Sequence, residues 1–467
     1  MLAFRMKKPL SKVDFEARLS AAYDTAKWGP VGKELIQRAS GMRERAREAS
    51  QGYDAKGADE CRQVFGLYQA LIFQLEAVCA GVSLKEKRVE FQWDDAFEAS
   101  KPHAEADLSF ERACVLFNLA ACISFLGNRV DRTAEGGPKQ ACHHYQQAAG
   151  CLSECLKLVR EGAWAASADM SADTLGVLSA LMLAQAQKCF VEKAERDGMA
   201  SATLAKLIAE CSALYEQVGR GFDDARAKGR AVSKMNEGWL KVVEYNRSMW
   251  DGMQHFHLAK AHQAAAEYGK ALSRLTYAVN KTAEAVNACS DAAPELQEQF
   301  KRAHAQCREA YDAAKKDNDL VHYEKVPPID TLPKPARHCL VKPMLPDEVA
   351  NNTAPTPLPP IDGVAVPDVS DYGAGGGQSV GQSMGQSMGG GGGTLEGAMG
   401  GISLGGGSSA TSGAAADEPP PPSFEAAEEA GLRALMAMGF ERAAASDALA
   451  KAGGSVHSAA EILLGKS

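Results

Sequence analysis

The sequence lacks a long apolar segment. Its longest nearly apolar run, residues 113–127, is too short to span a bilayer and is better interpreted as a core helix. The first ten residues, MLAFRMKKPL, lack the apolar centre of a signal peptide. We therefore expect a soluble, cytoplasmic protein whose membrane contact is peripheral.

The sequence also lacks an excess of positive charge. Residues 1–350 carry 47 basic and 47 acidic side chains, whereas residues 351–467 carry 4 basic and 12 acidic ones, which accounts for the net charge of -8. A neutral body followed by an acidic tail does not favour binding to phosphate backbones. We expect no nucleic-acid partner.

The spacing of cysteine and histidine does not complete a metal site. The densest group lies in residues 142–155, CHHYQQAAGCLSEC, where Cys151 and Cys155 are one helical turn apart. A zinc site there would need a second CxxC or HxxxH pair, which the sequence does not supply. Packing of these thiols in an apolar interior is the favoured interpretation, and no metal is predicted.

Motifs of catalysis are missing as well. The sequence contains no HExxH and no GxSxG, and the GKS at residues 465–467 lacks the glycine that a phosphate loop needs at position 460, which is Ala460. We predict a protein that is not an enzyme and that holds no cofactor.

Helical periodicity dominates what is present. From Val13 to about Ala314, apolar residues recur at spacings of three and four among Ala, Leu, Gln, Glu and Lys. One short aromatic stretch, residues 88–97, is typical of a strand. Residues 257–279 have the Ala, Tyr and Leu spacing of a TPR-like helical hairpin, although no strict 34-residue repeat holds. The predicted fold class is mainly α, an elongated solenoid-like body with a small strand element.

Proline and glycine then mark the later boundaries. Residues 325–346 are rich in proline and should run extended over the helical body. Residues 347–422 read as a disordered linker, because 19 of the 44 glycines fall between residues 351 and 422 and that stretch contains no Lys or Arg. Residues 423–467 return to a helical pattern. The predicted domains are therefore 1–346, 347–422 and 423–467.

Residues 181–194, LMLAQAQKCFVEKA, begin as a buried helix and then place glutamines and lysines where apolar residues are expected. Ser171 or Asp173 can cap this helix. Its predicted core stripe is Leu175, Leu178, Met182, Ala186 and Cys189. The question raised by the polar residues is whether one face of the helix is reserved for a partner.

The C-terminal segment resembles a ubiquitin-associated (UBA) domain, a three-helix bundle. The resemblance rests on the L-x-x-MGF loop from Leu435 to Phe440, on Ala448-Leu449, on a GG turn and on the final AAEILL. It implies binding of ubiquitin or ubiquitinated cargo, and the residues that it assigns to this role are Met438, Gly439, Phe440, Leu463 and Leu464.

The long body resembles the Bro-one domain of the Alix family of endosomal-sorting proteins, a boomerang-shaped helical domain. Several blocks occur in family order: VEFQWDDAF (89–97), SFERACVLFNLAACIS (109–124), HYQQAAG (144–150), DMSADTLGVLSALMLAQAQKCFVEKAERDGMA (169–200), LAKLIAECSALY (204–215) and AAKKDNDLVHYEKVP (313–327). The resemblance covers about 345 residues.

This second resemblance implies a hydrophobic pocket for the amphipathic C-terminal helix of ESCRT-III subunits, the charged multivesicular body proteins. The matching positions are Phe190, Thr203, Leu207, Glu135 and Lys139, and Lys193 shares a helix face with Phe190. Thr203 departs from the family, which has a large aliphatic residue there. Leu207 also lies in a wide apolar stripe, so a core position is the alternative.

The two resemblances together predict a monomeric adaptor, recruited to endosomes or multivesicular bodies, that links ubiquitinated cargo to ESCRT-III. The alternative is a general helical scaffold that recruits a signalling enzyme or a protease, with the UBA domain serving proteasomal or autophagic clients.

Overall fold

A computed structural model describes residues 1–51, 57–98, 100–228 and 237–352, together with Arg442 and Ser446. The chain divides into two units, residues 1–361 and 362–467. The predicted ubiquitin-binding residues and nearly all of the predicted linker lie outside the described residues. Arg442 and Ser446 are helical and exposed.

The first unit is mainly α-helical, as predicted. Its helices are α1 (Phe15–Leu19), α2 (Thr25–Gln51), α3 (Ala58–Val78), α4 (Leu108–Arg129), α5 (Gly137–Glu161), α6 (Ala172–Arg196), α7 (Ser201–Ala227), α8 (Glu237–Ala264), α9 (Tyr268–Ala288), α10 (Pro294–Asp317) and α11 (Asp347–Ala350). A π-helical turn (Asn318–His322) and a 3-10 turn (Ile329–Thr331) follow α10. From α2 to α10 each helix packs mainly on its neighbours in sequence, as in a solenoid. The predicted hairpin at 257–279 is α8 followed by α9.

Two helices, α4 and α6, are long and apolar enough to cross a membrane, yet 83% of the most apolar window of each is buried inside the protein. The predicted core role of residues 113–127 is confirmed, since all side chains from Ala113 to Ile123 are buried, including that of the polar Asn118. Asp107 caps α4 by accepting a hydrogen bond from Ser109 N at 2.7 Å. Ser171 caps α6 by accepting from Thr174 N, and the predicted stripe of α6 is buried.

The strand element forms where the aromatic stretch predicts it. Strand β1 (Phe91–Trp93) pairs antiparallel with β2 (His103–Glu105). The N-terminal segment lies along the other edge of β1, where Leu10 N donates to Gln92 O at 2.7 Å and Asp94 N donates to Lys8 O at 2.9 Å. The first ten residues are therefore part of the body.

Buried charges fix this end of the protein. Glu111 of α4 is fully buried and accepts hydrogen bonds from the Arg43 guanidinium, from Tyr68 Oη at 2.8 Å and from Trp93 Nε1 at 2.6 Å. Lys7 is also fully buried and forms an ion pair with Asp169. Buried charges are tolerated when they are paired and hydrogen-bonded in this way.

After α10 the chain runs extended across the solenoid, as the prolines predict. It contacts α9 where Arg274 donates to Pro333 O at 2.6 Å, α7 where His338 N donates to Lys206 O at 3.1 Å, and α5 where Met344 N donates to Gln146 O at 3.0 Å. We call residues 324–346 the arm. Gly150 of α5 has no room for a side chain, because the arm backbone at Met344 lies against it.

The ordered body continues past the predicted boundary at residue 346. Helix α11 packs on α3, where Arg62 forms an ion pair with Glu348 at 3.1 Å and Asn352 Nδ2 donates to Gln69 Oε1 at 2.7 Å. The sequence pattern did not predict this short helix, because Pro343 and Pro346 directly before it indicate an extended chain. Residues 347–352 therefore belong to the body, not to the linker.

Candidate functional site

The six predicted ESCRT-III-binding residues lie on three successive segments. Glu135 is in the loop before α5 and Lys139 is in its first turn, Phe190 and Lys193 are near the end of α6, and Thr203 and Leu207 are near the start of α7. Helices α5, α6 and α7 pack on one another in order. We call the solvent-facing part of these three segments the α5–α7 surface.

Hydrogen bonds hold the loop before α5 against the end of α6. Arg196 Nη1 donates to Ala134 O at 3.0 Å, and Arg132 Nε pairs with Glu192 Oε2 at 3.0 Å. Asp131 Oδ1 accepts from Thr133 N at 2.8 Å, and these bonds with Thr133 lower the pKa of the Asp131 carboxyl. The loop is thus fixed by its own polar contacts, which places Glu135 beside α6.

Gly136 makes the turn into α5 feasible. Its φ of 73° is in the left-handed region that glycine adopts without strain. Pro138, with its preset φ, then opens the helix. Glu135 is consequently exposed at the tip of the turn, and Lys139 lies partly exposed one turn further on.

Two of the six residues are not on the surface. Phe190 is 2% exposed and Leu207 is 0% exposed, so both belong to the interior. The core alternative for Leu207 is the correct one, because its helix buries Leu204, Ile208 and Cys211 around it. Phe190 lies between buried Cys189 and Val191, on a stretch of α6 that is enclosed on almost every side. Both side chains are therefore packed inside this unit, and their contribution to ESCRT-III binding stays a prediction.

The other four residues are accessible. Glu135 is exposed, and Lys139 and Thr203 are partly exposed. Lys193 forms an i,i+4 ion pair with Asp197 at 2.5 Å. The α5–α7 surface is thus a charged and polar surface with Phe190 and Leu207 packed underneath it.

The glutamines of residues 181–194 have partners within the chain. Gln185 is buried, accepts from Leu2 N and donates to Leu2 O at 2.9 Å, so it holds the N-terminal segment as a neighbouring strand would. The local sequence pattern shows that the residue is polar but not this contact, because Leu2 is distant in sequence.

Gln187, two residues later, does the same for the arm. Its Nε2 donates to Leu207 O and to His338 O, both at 3.1 Å, and its Oε1 accepts from Leu340 N at 3.3 Å. Gln146 of α5 repeats this arrangement with Lys342 N at 3.0 Å. The two glutamines of α6 therefore hydrogen-bond two extended segments of the same chain. The arm borders the α5–α7 surface one turn from Phe190.

The cysteines of the 142–155 group are buried in packing positions. Cys155 Sγ lies 3.4 Å from Ala113 O, and Cys142 Sγ accepts from Gln146 Nε2 at 3.6 Å. Burial raises the pKa of both thiols well above the usual range. Within the part of the chain that the structure describes, no cluster of three or more His, Cys, Asp or Glu residues could hold a metal ion.

Comparison with protein families gives two matches. The BRO1-like domain matches residues 1–361, and the UBA/TS-N domain matches residues 428–463.

Individual proteins match the first of these regions. The chain is 30% identical over 260 residues to a mouse (Mus musculus) protein named tyrosine-protein phosphatase non-receptor type 23, which covers 56% of this chain and 15% of that protein. It is 32% identical over 270 residues to the vacuolar protein-sorting protein bro-1 of Neurospora crassa, covering 54% of this chain and 26% of that protein. The chain thus spans well under a third of the length of these relatives.

A solved structure, the ALIX BRO1 CHMP4C complex, shares the fold. It superposes with a TM-score of 0.62 at 24% identity and covers 74% of this chain and 96% of that one. This likeness shows the architecture of the helical body.

Proposed function

Because the chain belongs to the BRO1-like domain family, we propose that it is an endosomal-sorting adaptor that has no catalytic role of its own. The sorting function in the name of the Neurospora relative and the C-terminal UBA/TS-N match support this proposal. Such a protein would work in the cytoplasm and be recruited to endosomes or multivesicular bodies, with peripheral membrane contact. One binding module would select ubiquitinated cargo, and the other would deliver it to ESCRT-III.

The observation that carries the ESCRT-III part is the α5–α7 surface. It presents Lys139 and Lys193 beside the accessible Thr203, and the likeness to the ALIX BRO1 domain in its complex with CHMP4C supports a helix as the ligand. An amphipathic helix with acidic flanks would set its register on the two lysines. Phe190 and Leu207 would contribute indirectly, because their packing in the interior fixes α6 against α7.

The arm gives this surface a rigid border. Gln187 ties it to both α6 and α7, and Arg337 lies 3.8 Å from Glu210 on α7. A surface built on packed helices and bordered by a tied segment loses little freedom when a ligand binds, which favours affinity.

The test is fluorescence anisotropy of a labelled ESCRT-III C-terminal peptide added to the full chain. Lys139→Glu with Lys193→Glu should weaken binding by more than tenfold, because two favourable charge contacts become repulsive. The matched control, Lys270→Glu with Lys315→Glu, makes the same charge change at exposed positions of α9 and α10, outside this surface. It should bind as the parent does.

Equal binding by both double variants would overturn this site. Thr203→Ile should change the affinity for the peptide in the opposite direction. It restores apolar surface at an accessible position and should tighten binding a few-fold. Phe190→Asp and Leu207→Asp do not test the surface, because a buried carboxylate would unfold the body.

The ubiquitin part of the proposal is tested on the C-terminal segment. Labelled ubiquitin should show NMR shifts when the full chain is added, and Phe440→Ala or Met438→Ala should remove them while the ESCRT-III peptide still binds. Shifts that persist unchanged in the Phe440→Ala protein would contradict the assignment of Met438, Gly439 and Phe440, with Leu463 and Leu464, to this interface.

A further inference from the structure

A cleft lies between α8 and α10, beside the end of α6. This cleft has a volume of about 510 Å³. Its floor is apolar and comes from two helices: Met249, Trp250 and Met253 of α8, and Phe300 of α10. These four side chains are largely buried by their neighbours, and the small part of each that stays exposed lines the cleft.

Two methionines in this wall favour an adaptable contact. Methionine is unbranched and polarisable, so it fits apolar side chains of different shapes and also contacts aromatic rings. The Phe300 ring makes an edge contact with Tyr245, at 5.5 Å between centroids, which fixes the far side of the floor. The cleft thus combines a fixed aromatic ring, Phe300, with two flexible methionine side chains, Met249 and Met253.

The rim of the cleft is acidic. Among the described residues that line it are three glutamates, Glu195, Glu295 and Glu298, and one arginine, Arg302. Arg302 is paired with Glu298 at 3.1 Å, so Glu195 and Glu295 dominate the local charge. Glu195 is open to solvent but has protein on several sides, and this partial burial, together with Glu192 nearby, raises the pKa of Glu195 to about 7. A cationic ligand would relieve that unfavourable charge.

The cleft also contains an unused hydrogen-bond donor. Trp250 is 6% exposed, and its Nε1 has no hydrogen-bond partner among the described residues. The two other buried indoles do have partners: Trp93 donates to Glu111, and Trp164 donates to Ser109 Oγ at 2.8 Å. A buried indole N–H usually finds an acceptor, so Trp250, which lies in the cleft wall, is an exception among the buried indoles.

From these observations we propose that the α8–α10 cleft is a docking site for a basic amphipathic helical segment of a partner protein. Its apolar side chains would contact Met249, Met253 and Phe300, and its Lys or Arg side chains would lie against Glu195, Glu295 and Glu298. The residues that line this site differ from those of the proposed ESCRT-III surface, and the site prefers the opposite charge.

The rest of this chain does not fit that occupant. Residues 353–423 contain no Lys or Arg, and residues 424–467 carry four basic and six acidic side chains. Both stretches have the same charge sign as the rim, so it would repel them. Charge complementarity therefore selects a partner protein.

The test uses the full chain and two labelled 18-residue peptides with leucine at helical spacing, one with lysine and the other with glutamate at the remaining positions. In anisotropy titrations the Leu/Lys peptide should bind at least tenfold more tightly than the Leu/Glu peptide. Glu295→Lys with Glu298→Lys should weaken Leu/Lys binding at least tenfold. Both positions are exposed, so the fold should not change.

The control is Glu284→Lys with Asp312→Lys, which makes the same charge change at exposed positions of α9 and α10 that do not line the cleft. It should leave Leu/Lys binding within twofold of the parent. An equal loss in both double variants would show general attraction to an acidic protein and overturn the proposal.

NMR then locates the contact. The indole N–H resonance of Trp250, assigned by its loss in Trp250→Phe, should shift when the Leu/Lys peptide binds, while the indole resonance of Trp93 should not. An unshifted Trp250 resonance at saturating peptide would also overturn the proposal. Binding of the ESCRT-III peptide should be unaffected by Glu295→Lys with Glu298→Lys, so failure here and failure of the proposed function can be told apart.

Discussion

The two ends of the helical body treat their buried polar groups in opposite ways. At the first end, around β1, α3 and α4, Glu111 accepts from Arg43, Tyr68 and Trp93, and Lys7 is paired with Asp169. Arg43 Nε is the exception there. This end is closed, because its strongest polar groups already have partners inside the chain.

At the other end, α8 and α9 leave several buried polar atoms without a hydrogen bond among the described residues: Asn246 Oδ1, Trp250 Nε1, His257 Nδ1 and Arg274 Nε. Helix α10, which packs mainly on α9, contributes few buried residues of its own, namely Phe300, Cys307 and Ala314. An unsatisfied buried group costs free energy, so this end gives up stability that the first end keeps.

The largest expected effect tests the closed end. Glu111→Gln keeps the shape of the side chain but leaves the Arg43 guanidinium buried without its counter-charge. We expect a loss of about 3–5 kcal/mol in the free energy of unfolding, measured by urea denaturation. Glu34→Gln, which breaks a partly exposed ion pair with Arg38, should cost less than about 1 kcal/mol. Similar losses in both variants would mean that the buried network does not hold this end.

Acid should weaken the α8 end. Burial, with Arg274 nearby, lowers the pKa of His255 to about 3, and burial, with Lys260 nearby, lowers the pKa of His257 to about 4. In the unfolded chain both histidines take up protons near pH 6.5, before the folded state does. Stability is therefore full above about pH 6.5 and falls as the pH drops towards 4, by up to about 1.4 kcal/mol per pH unit for each histidine.

The check is the free energy of unfolding at several pH values for the parent and for His255→Gln with His257→Gln. The double variant should show a shallower fall between pH 6.5 and 4. If the two curves stay parallel over that interval, these histidines are not the acid-sensitive groups.

A pair of identical substitutions compares the two ends directly. Trp93→Phe removes a donor on which Glu111 depends and should cost about 1–3 kcal/mol. Trp250→Phe removes an N–H that has no acceptor among the described residues and should change the free energy of unfolding by less than about 0.5 kcal/mol, apart from the loss of ring area. Urea denaturation measures both, and a Trp250→Phe loss as large as that of Trp93→Phe would erase the contrast.

The smallest effect belongs to the cleft rim. Arg302→Ala removes an exposed i,i+4 partner of Glu298 and should change stability by about 0.5 kcal/mol or less. It should nevertheless tighten binding of the Leu/Lys peptide, because one competing cation leaves the rim. A stability loss above 1 kcal/mol would show that α10 is held by this pair.

The sequence by itself determined the features that depend on local patterns. The helices follow from apolar residues at three- and four-residue spacing, the cap of α6 from Ser171, strand β1 from its short aromatic run, and the extended arm from prolines that cannot continue a helix. Glu135, Lys139 and Thr203 were proposed for the α5–α7 surface through the family resemblance, and Lys193 because it shares a helix face with Phe190. All four are accessible, and their role in binding stays a prediction.

The tertiary structure alone decided what covers each face. Periodicity shows that a helix has an apolar side, but the neighbour that buries it is distant in sequence. The sequence therefore left open whether Leu207 faces a partner or the core, and it did not show that Phe190 is buried. The same holds for Gln185 and Gln187, whose partners are near residues 2 and 340, and for the cleft, whose walls come from α6, α8 and α10. Hydrogen bonds and burial depend on which segments contact each other in the folded chain, and a local sequence pattern does not indicate those contacts.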